Sequence, residues 1–121
     1  MKGFNISTEQ AKLDIDVIYS FISTSYWASN MPRELLIKAI ANSLCFGIYK
    51  DNGEQVGFAR LITDKATFAY LADVFVIEAE RGKGLSKWLV TTIVEHPELQ
   101  GLRRMMLATK DAHGLYAQFG F

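Results

Sequence analysis

Val74-Phe75-Val76-Ile77-Glu78-Ala79-Glu80-Arg81-Gly82-Lys83-Gly84-Leu85-Ser86 changes character twice within one short stretch. It opens as an apolar run of β-branched and aromatic residues, the composition strands favour. It then passes through charged residues and two glycines into Leu85, Trp88, Leu89, Thr92 and Ile93, which follow helical spacing and stop before Pro97. The stretch therefore predicts a strand, a glycine turn and a helix. Glycines let backbone N–H groups converge on an oxyanion without interference from Cβ, and a helix N-terminus adds about half a positive charge. Arg81 and Lys83 can reinforce such an anion site and Ser86 can add a hydroxyl. The same residues also suit an ordinary tight turn with both cations solvated. Neither G-x-x-x-x-G-K-[ST] nor G-x-G-x-x-G occurs in the chain.

Upstream of this unit, Leu13, Val17, Ile18, Phe21 and Ile22 recur at three- and four-residue spacing, with Asp14 and Asp16 near the start, and predict a helix from Leu13 to Ile22. Pro32 suits a first helical turn, and Leu35, Leu36, Ala39 and Ile40 predict a second helix to about Asn42. Leu44 to Tyr49, the turn signature Asp51-Asn52-Gly53, and Gln55 to Thr63 predict a β-hairpin. After Asp64-Lys65, the run Thr67 to Ile77 completes three antiparallel strands in a meander. Downstream, Arg103 to Ala108 predicts a strand and Ala112 to Gln118 a short helix closed by Gly120. The expected order is α-α-β-β-β-α-β-α, an α+β sandwich.

The whole chain has 121 residues, 13 Lys+Arg against 13 Asp+Glu, and a formal net charge of zero. That length bounds it to one domain, and no linker or repeat divides it. Half the residues are apolar and 21% are charged, which excludes a disordered chain. Without a basic excess, nucleic-acid binding is not expected. No apolar stretch reaches the roughly 18 residues of a membrane span, and Met1-Lys2-Gly3-Phe4-Asn5 lacks a signal-peptide core. Cys45 has no second cysteine to pair with, which fits a reducing compartment; a cytoplasmic location is expected. On a strand, Cys45 is read as a small core residue.

Arg81-Gly82-Lys83-Gly84-Leu85-Ser86 resembles the R/Q-x-x-G-x-G/A pyrophosphate loop of the GNAT superfamily of acetyl-CoA-dependent N-acyltransferases, and its flanking strand and helix also match. Gly114-Leu115-Tyr116-Ala117-Gln118-Phe119-Gly120-Phe121 is similar to the family's LY-x-x-x-GF segment near the acetyl thioester. Both motifs occur in the family's order, which is more specific than either alone. The likeness is good from Leu44 to Phe121 and weaker before it. Ser86 departs from the usual Gly or Ala, a small change at a helix N-terminus that is expected to leave binding intact.

The resemblance implies a GNAT-like fold, with a mostly antiparallel central sheet flanked by helices. It also implies a single N-acetyltransferase domain over residues 1–121. GNAT sequences normally run on past the position of Gly120-Phe121 into further strands, so the C-terminal strands are expected to be missing here. A partner subunit, as in a homodimer, would be the other way to cover the edge beside Arg103 to Ala108. By the same resemblance, the backbone around Phe75 and Val76 pairs with the pantetheine arm of acetyl-CoA. The amides from Gly82 to Ser86, Leu85 included, hold the pyrophosphate, with Arg81 and Lys83 supplying charge. No metal is implied. The implied reaction is attack of a neutral amine on the thioester, with a small primary amine as acceptor; a protein N-terminus or lysine, or a catalytically idle CoA-binding or regulatory module, are the rival readings.

Tyr116 matches the family's general acid or thiolate donor, although an aromatic core role is the plainer alternative. Asp73 is the one carboxylate inside an apolar strand, and alternation groups it with Leu71 and Phe75, opposite Ala72, Val74 and Val76. It can serve as a base through water or as an anchor for a cationic amine, or simply pair with Arg60 or Arg104, because a buried carboxylate must be solvated or paired. Ala72-Asp73-Val74-Phe75-Val76 is also similar to the corresponding strand of diamine acetyltransferases, which carry a second acid where this chain has Ala72. Tyr26 and Trp27 either line the acceptor pocket or staple the first two helices. His113 is read as a proton shuttle or a solvated loop residue, Asp111 as a helix cap, and His96 as a partner of a helix end.

Overall fold

The computed structural model describes residues 2–23 and 31–101 in full, and residues 104–107 as backbone. Strand β1 (Phe4–Ser7) opens the chain, followed by helices α1 (Ile15–Ser23) and α2 (Arg33–Ala41). Strands β2 (Leu44–Lys50), β3 (Gln55–Thr63) and β4 (Phe68–Val76) come next, then helix α3 (Leu85–Val94) and strand β5 (Arg104–Leu107). Short 3-10 turns lie at Gln10–Lys12, Glu78–Glu80 and Pro97–Leu99.

The helices and the hairpin follow their local signals. Asp14 caps α1, its Oδ1 accepting the Val17 amide at 3.2 Å. Pro32 precedes the first turn of α2. In the β2–β3 turn, Asn52 Oδ1 accepts the Glu54 amide at 2.9 Å and Gly53 takes φ 91°. The Asp64 carboxylate builds the β3–β4 turn: its Oδ1 accepts the amides of Ala66 at 2.9 Å and Thr67 at 2.8 Å, while Thr67 Oγ1 donates to Oδ2 at 2.7 Å. These donors hold the Asp64 carboxyl well below the usual carboxylate range.

The sheet runs β1-β2-β3-β4-β5, antiparallel through β4, with β5 parallel to β4. The meander of three strands is thus extended by β1, which the sequence reading passed over. Phe4-Asn5-Ile6-Ser7 has only four residues, too few for alternation to stand out, and the strand forms because it can pair with β2 from Phe4↔Lys50 to Ser7↔Gly47. The described order is therefore β-α-α-β-β-β-α-β; the helix expected from Ala112 to Gln118 lies outside the described residues.

Both faces of the sheet are covered. Leu85, Leu89, Val90 and Ile93 of α3 pack on Phe46, Ile48, Ala59, Leu61 and Leu71. Ile18 and Ile22 of α1, with Leu36 and Ile40 of α2, pack on Cys45, Phe58 and Phe75 on the other face. This two-sided burial explains why β2 is buried from Leu44 to Tyr49 without interruption.

The alternation inferred for β4 needs correction. Arg60 faces Asp73 but Leu61 faces Leu71, so Ala72 has no counterpart on β3 and forms a β-bulge. One extra residue exchanges the faces. Ala69 and Leu71, before the bulge, join the α3 side, whereas Phe75, after it, joins the α1 and α2 side. Asp73 keeps company with Phe75 and parts from Leu71.

Candidate functional site

The connection from β4 to α3 positions a cavity of about 260 Å³, lined by Val76, Arg81, Gly82, Gly84, Leu85 and Ser86. Glu80 and Lys87 complete its wall. Gly82 at φ 83° and Gly84 at φ 79° turn the chain through left-handed conformations that a side chain would strain. Gly84 is the N-cap of α3 and no side chain caps that end. The first amide of the helix to bond back is Trp88 N, to Gly84 O at 3.0 Å. The preceding amides of Leu85, Ser86 and Lys87 therefore remain as helix-end donors beside the cavity, with the helix dipole behind them. Leu85 points its side chain into the core, 2% exposed, so it can serve a ligand only through its backbone.

The two loop cations part company. Arg81 lines the cavity and donates from Nε to Val76 O at 3.1 Å. Lys83 turns aside: its Nζ donates to Glu80 Oε2 at 2.6 Å and lies 5.6 Å from the centre of the Phe4 ring. Glu80, which the sequence reading did not single out, lines the cavity and is only 7% exposed. Its i, i+3 spacing to Lys83 was the available signal. Lys83 and then Lys50 hold the Glu80 carboxyl below its ordinary value, against the opposing effect of its partial burial.

Next to the cavity, β4 offers a backbone edge. Its pairing with β5 runs, among the described residues, from Phe68↔Arg104 to Leu71↔Leu107, the residue before the bulge. Among the described residues, no strand covers the edge from Ala72 to Val76. The Phe75 side chain is committed elsewhere, stacked on Phe21 at 4.2 Å between centroids and tilted on Phe58 at 5.8 Å. Phe75 can meet an extended ligand only through its main chain.

Asp73 sits beside the bulge, 4% exposed, and its Oδ2 accepts Arg60 Nε at 2.7 Å. Arg60 Nη1 also donates to Ser43 Oγ at 3.2 Å. The pairing with Arg60 is one of the arrangements the sequence left open. Cys45, opposite Arg60 in the register, is buried and its thiol is pushed up to about 12, chiefly by burial; Arg60 opposes that shift and Asp73 adds to it. Such a thiol is a core group and not a nucleophile. His96 caps the turn at Pro97–Leu99, Nδ1 accepting the Glu98 amide at 3.2 Å, and meets Phe46 edge to face. Tyr26, Trp27, Asp111, His113 and Tyr116 lie outside the described residues. Among the described residues, no three His, Cys, Asp or Glu side chains gather as metal ligands, and no helix is long and apolar enough to cross a membrane.

An uncapped helix end, a cationic glycine loop and a strand edge that no strand covers among the described residues lie together on a GNAT-like fold. The chain belongs to the Acetyltransferase (GNAT) family, matching it over residues 14–121. It is 36% identical to a Gibberella zeae protein assigned as an acetyltransferase, over 93% of this chain and 75% of that one. It also resembles the crystal structure of a protein from Xanthomonas campestris pv. campestris assigned to the same family, at 52% identity and TM-score 0.95, covering 100% of this chain and 85% of that one. A GNAT family acetyltransferase from Elizabethkingia anophelis, solved with acetyl-CoA bound, shares the fold at 16% identity and TM-score 0.72, over 100% of this chain and 77% of that one.

Proposed function

We propose that this GNAT acetyltransferase moves the acetyl group of acetyl-CoA to a primary amine of a small molecule within a ternary complex. The observation that carries the reading is the uncapped N-terminus of α3 behind Gly82 and Gly84, opening on a cavity beside the stretch of β4 that no strand covers among the described residues. The amides from Gly82 to Ser86, with Arg81, hold the pyrophosphate. The main chain around Phe75 and Val76 pairs with the pantetheine arm as an added strand would.

In the reaction proposed, the acceptor's ammonium first loses a proton. The nitrogen lone pair then forms a bond to the thioester carbon, the C–S bond breaks, the nitrogen gives up its surplus proton to leave the amide, and the thiolate takes up a proton to leave CoA. Tyr116 is assigned to the thiolate as hydrogen-bond donor and acid. Tyr26 and Trp27 are assigned to the acceptor pocket, and Asp73 to its carboxylate, acting as base through water or as an anchor for a cationic amine. The engagement of Asp73 by Arg60 favours the rival in which that carboxylate is structural and the chain binds CoA without turnover. A cytoplasmic setting and a homodimer complete the reading.

Kinetics separate the roles of Asp73. As the base, Asp73→Asn loses rate most at low pH. As the anchor, it raises the acceptor KM across the pH range. Unchanged kinetics with lowered stability would leave only the ion pair.

A further inference from the structure

We infer that Glu80 is a positioning residue for acetyl-CoA: through Lys83 and Lys50 it ties the pyrophosphate loop to the β1–β2 end of the sheet. The inference rests on the functional reading above. A carboxylate in the wall of a cavity for a polyanion repels its ligand, so its place there calls for a compensating task. Glu80 is nearly buried and holds one lysine on each oxygen, Lys83 at 2.6 Å on Oε2 and Lys50 at 3.7 Å on Oε1. Lys50 ends β2, and its neighbour across the β1–β2 ladder is Phe4, the ring beneath Lys83 Nζ. Lys50 also reaches Glu54 at 3.6 Å. Lysine, carboxylate, lysine and ring thus form one chain of contacts from the sheet edge to the loop.

The loop has need of such a tether. A Cβ built on Gly82 would meet nothing within 4 Å, so no neighbour packs against the turn at that residue. Its other hydrogen bonds are local: Arg81 Nε to Val76 O, the Glu80 amide to Ile77 O and the Arg81 amide to Glu78 O. Lys83 then contributes to cofactor binding through Glu80, while the backbone amides and Arg81 face the phosphates. That assignment departs from the direct charge contact expected of Lys83.

The test is a double-mutant cycle on the full chain, with CoA affinity read by calorimetry and acetyl-CoA KM and kcat read separately. Glu80→Gln and Lys83→Met should each weaken CoA roughly tenfold at unchanged kcat, and the double variant should bind no worse than the weaker single. Lys50→Met should move affinity in the same direction, and its side chain is exposed enough for the variant to fold. A Lys83→Met variant that weakens CoA while Glu80→Gln leaves it unchanged or tighter would overturn the inference, because Lys83 would then meet the phosphates itself. Losses that multiply in the double variant would overturn it too. Failure of the unmodified chain to bind CoA would strike the functional reading first and this inference with it.

Discussion

Gly84 carries the densest set of demands on any single position. It must adopt a left-handed φ of 79°, cap α3 without a side chain, and leave the cavity open to an anion. Gly84→Asp is the informative substitution. Asp is a favoured N-cap and tolerates left-handed φ better than most residues, so the fold should survive at a cost of about 1 kcal/mol, while its carboxylate occupies the anion's place. CoA binding is expected to disappear with the thermal transition nearly intact; retained affinity would mean the anion binds elsewhere. Gly47 makes a different demand. A Cβ there would run into the Tyr49 ring, 2.6 Å from Cζ, so Gly47→Ala should cost about 1–3 kcal/mol in urea unfolding. Both glycines were visible in the sequence, but only Gly84 announced its purpose, because its neighbours Arg81 and Ser86 are chemical and those of Gly47 are not. The partner of Asp73 was likewise legible as one of two arginines. Of the roles of Lys83 and Glu80 only their i, i+3 bond left a local signal; the approach of Lys50 and Phe4 to that pair depends on where the β1–β2 edge passes. Tyr116→Phe should lower turnover and leave CoA affinity nearly intact; an unchanged rate would remove Tyr116 from the proposed role of acid.

At the scale of elements, the helices, the hairpin and the strand-glycine-helix unit followed local patterns that tertiary packing then reinforced. Strand β1 and the bulge at Ala72 did not, and both are creatures of pairing. A strand as short as Phe4–Ser7 exists through its neighbour, and a bulge leaves no mark in composition. The bulge nevertheless organises the site. It follows the last described β4–β5 pair, Leu71↔Leu107, puts Asp73 with Phe75 on the α1 and α2 face, and gives Leu71 to the α3 face. Deleting Ala72 would bring Leu71 and Asp73 into direct succession, and unbroken alternation would then keep Leu71 on the α3 face and Phe75 on the α1 and α2 face. The shortened chain should therefore keep a cooperative calorimetric transition near the parent's. Loss of that transition would show that the sheet itself depends on the bulge.

For the molecule as a whole, acid and alkaline limits of stability follow from its perturbed groups. Glu80, Glu98 and Asp64 have their carboxyls lowered by lysine or amide donors in the folded state. The folded state therefore binds fewer protons than the unfolded one in mild acid. Their contribution is present above the ordinary carboxylate range and is lost as pH falls from that range through the lowered folded-state values. At the other limit, burial pushes the Cys45 thiol from 9.0 and the Tyr49 phenol from 10.0 up to about 12. The folded state keeps those protons while the unfolded state releases them, so stability falls as pH rises from about 9 to about 12. Tyr49 is 3% exposed and its hydroxyl has no hydrogen-bond partner among the described residues. Tyr49→Phe should therefore soften the alkaline loss in a series of thermal melts, and a profile identical to the parent's would contradict the burial argument. The zero net charge, by contrast, still leaves Arg81 and the amides at the start of α3 gathered at one loop. The most direct measurement is thiol release from acetyl-CoA across a panel of small primary amines, run side by side with the chain and its Gly84→Asp variant. Amine-dependent release by the chain and none by the variant is the predicted result; CoA binding with no release on any amine would contradict the proposed transfer.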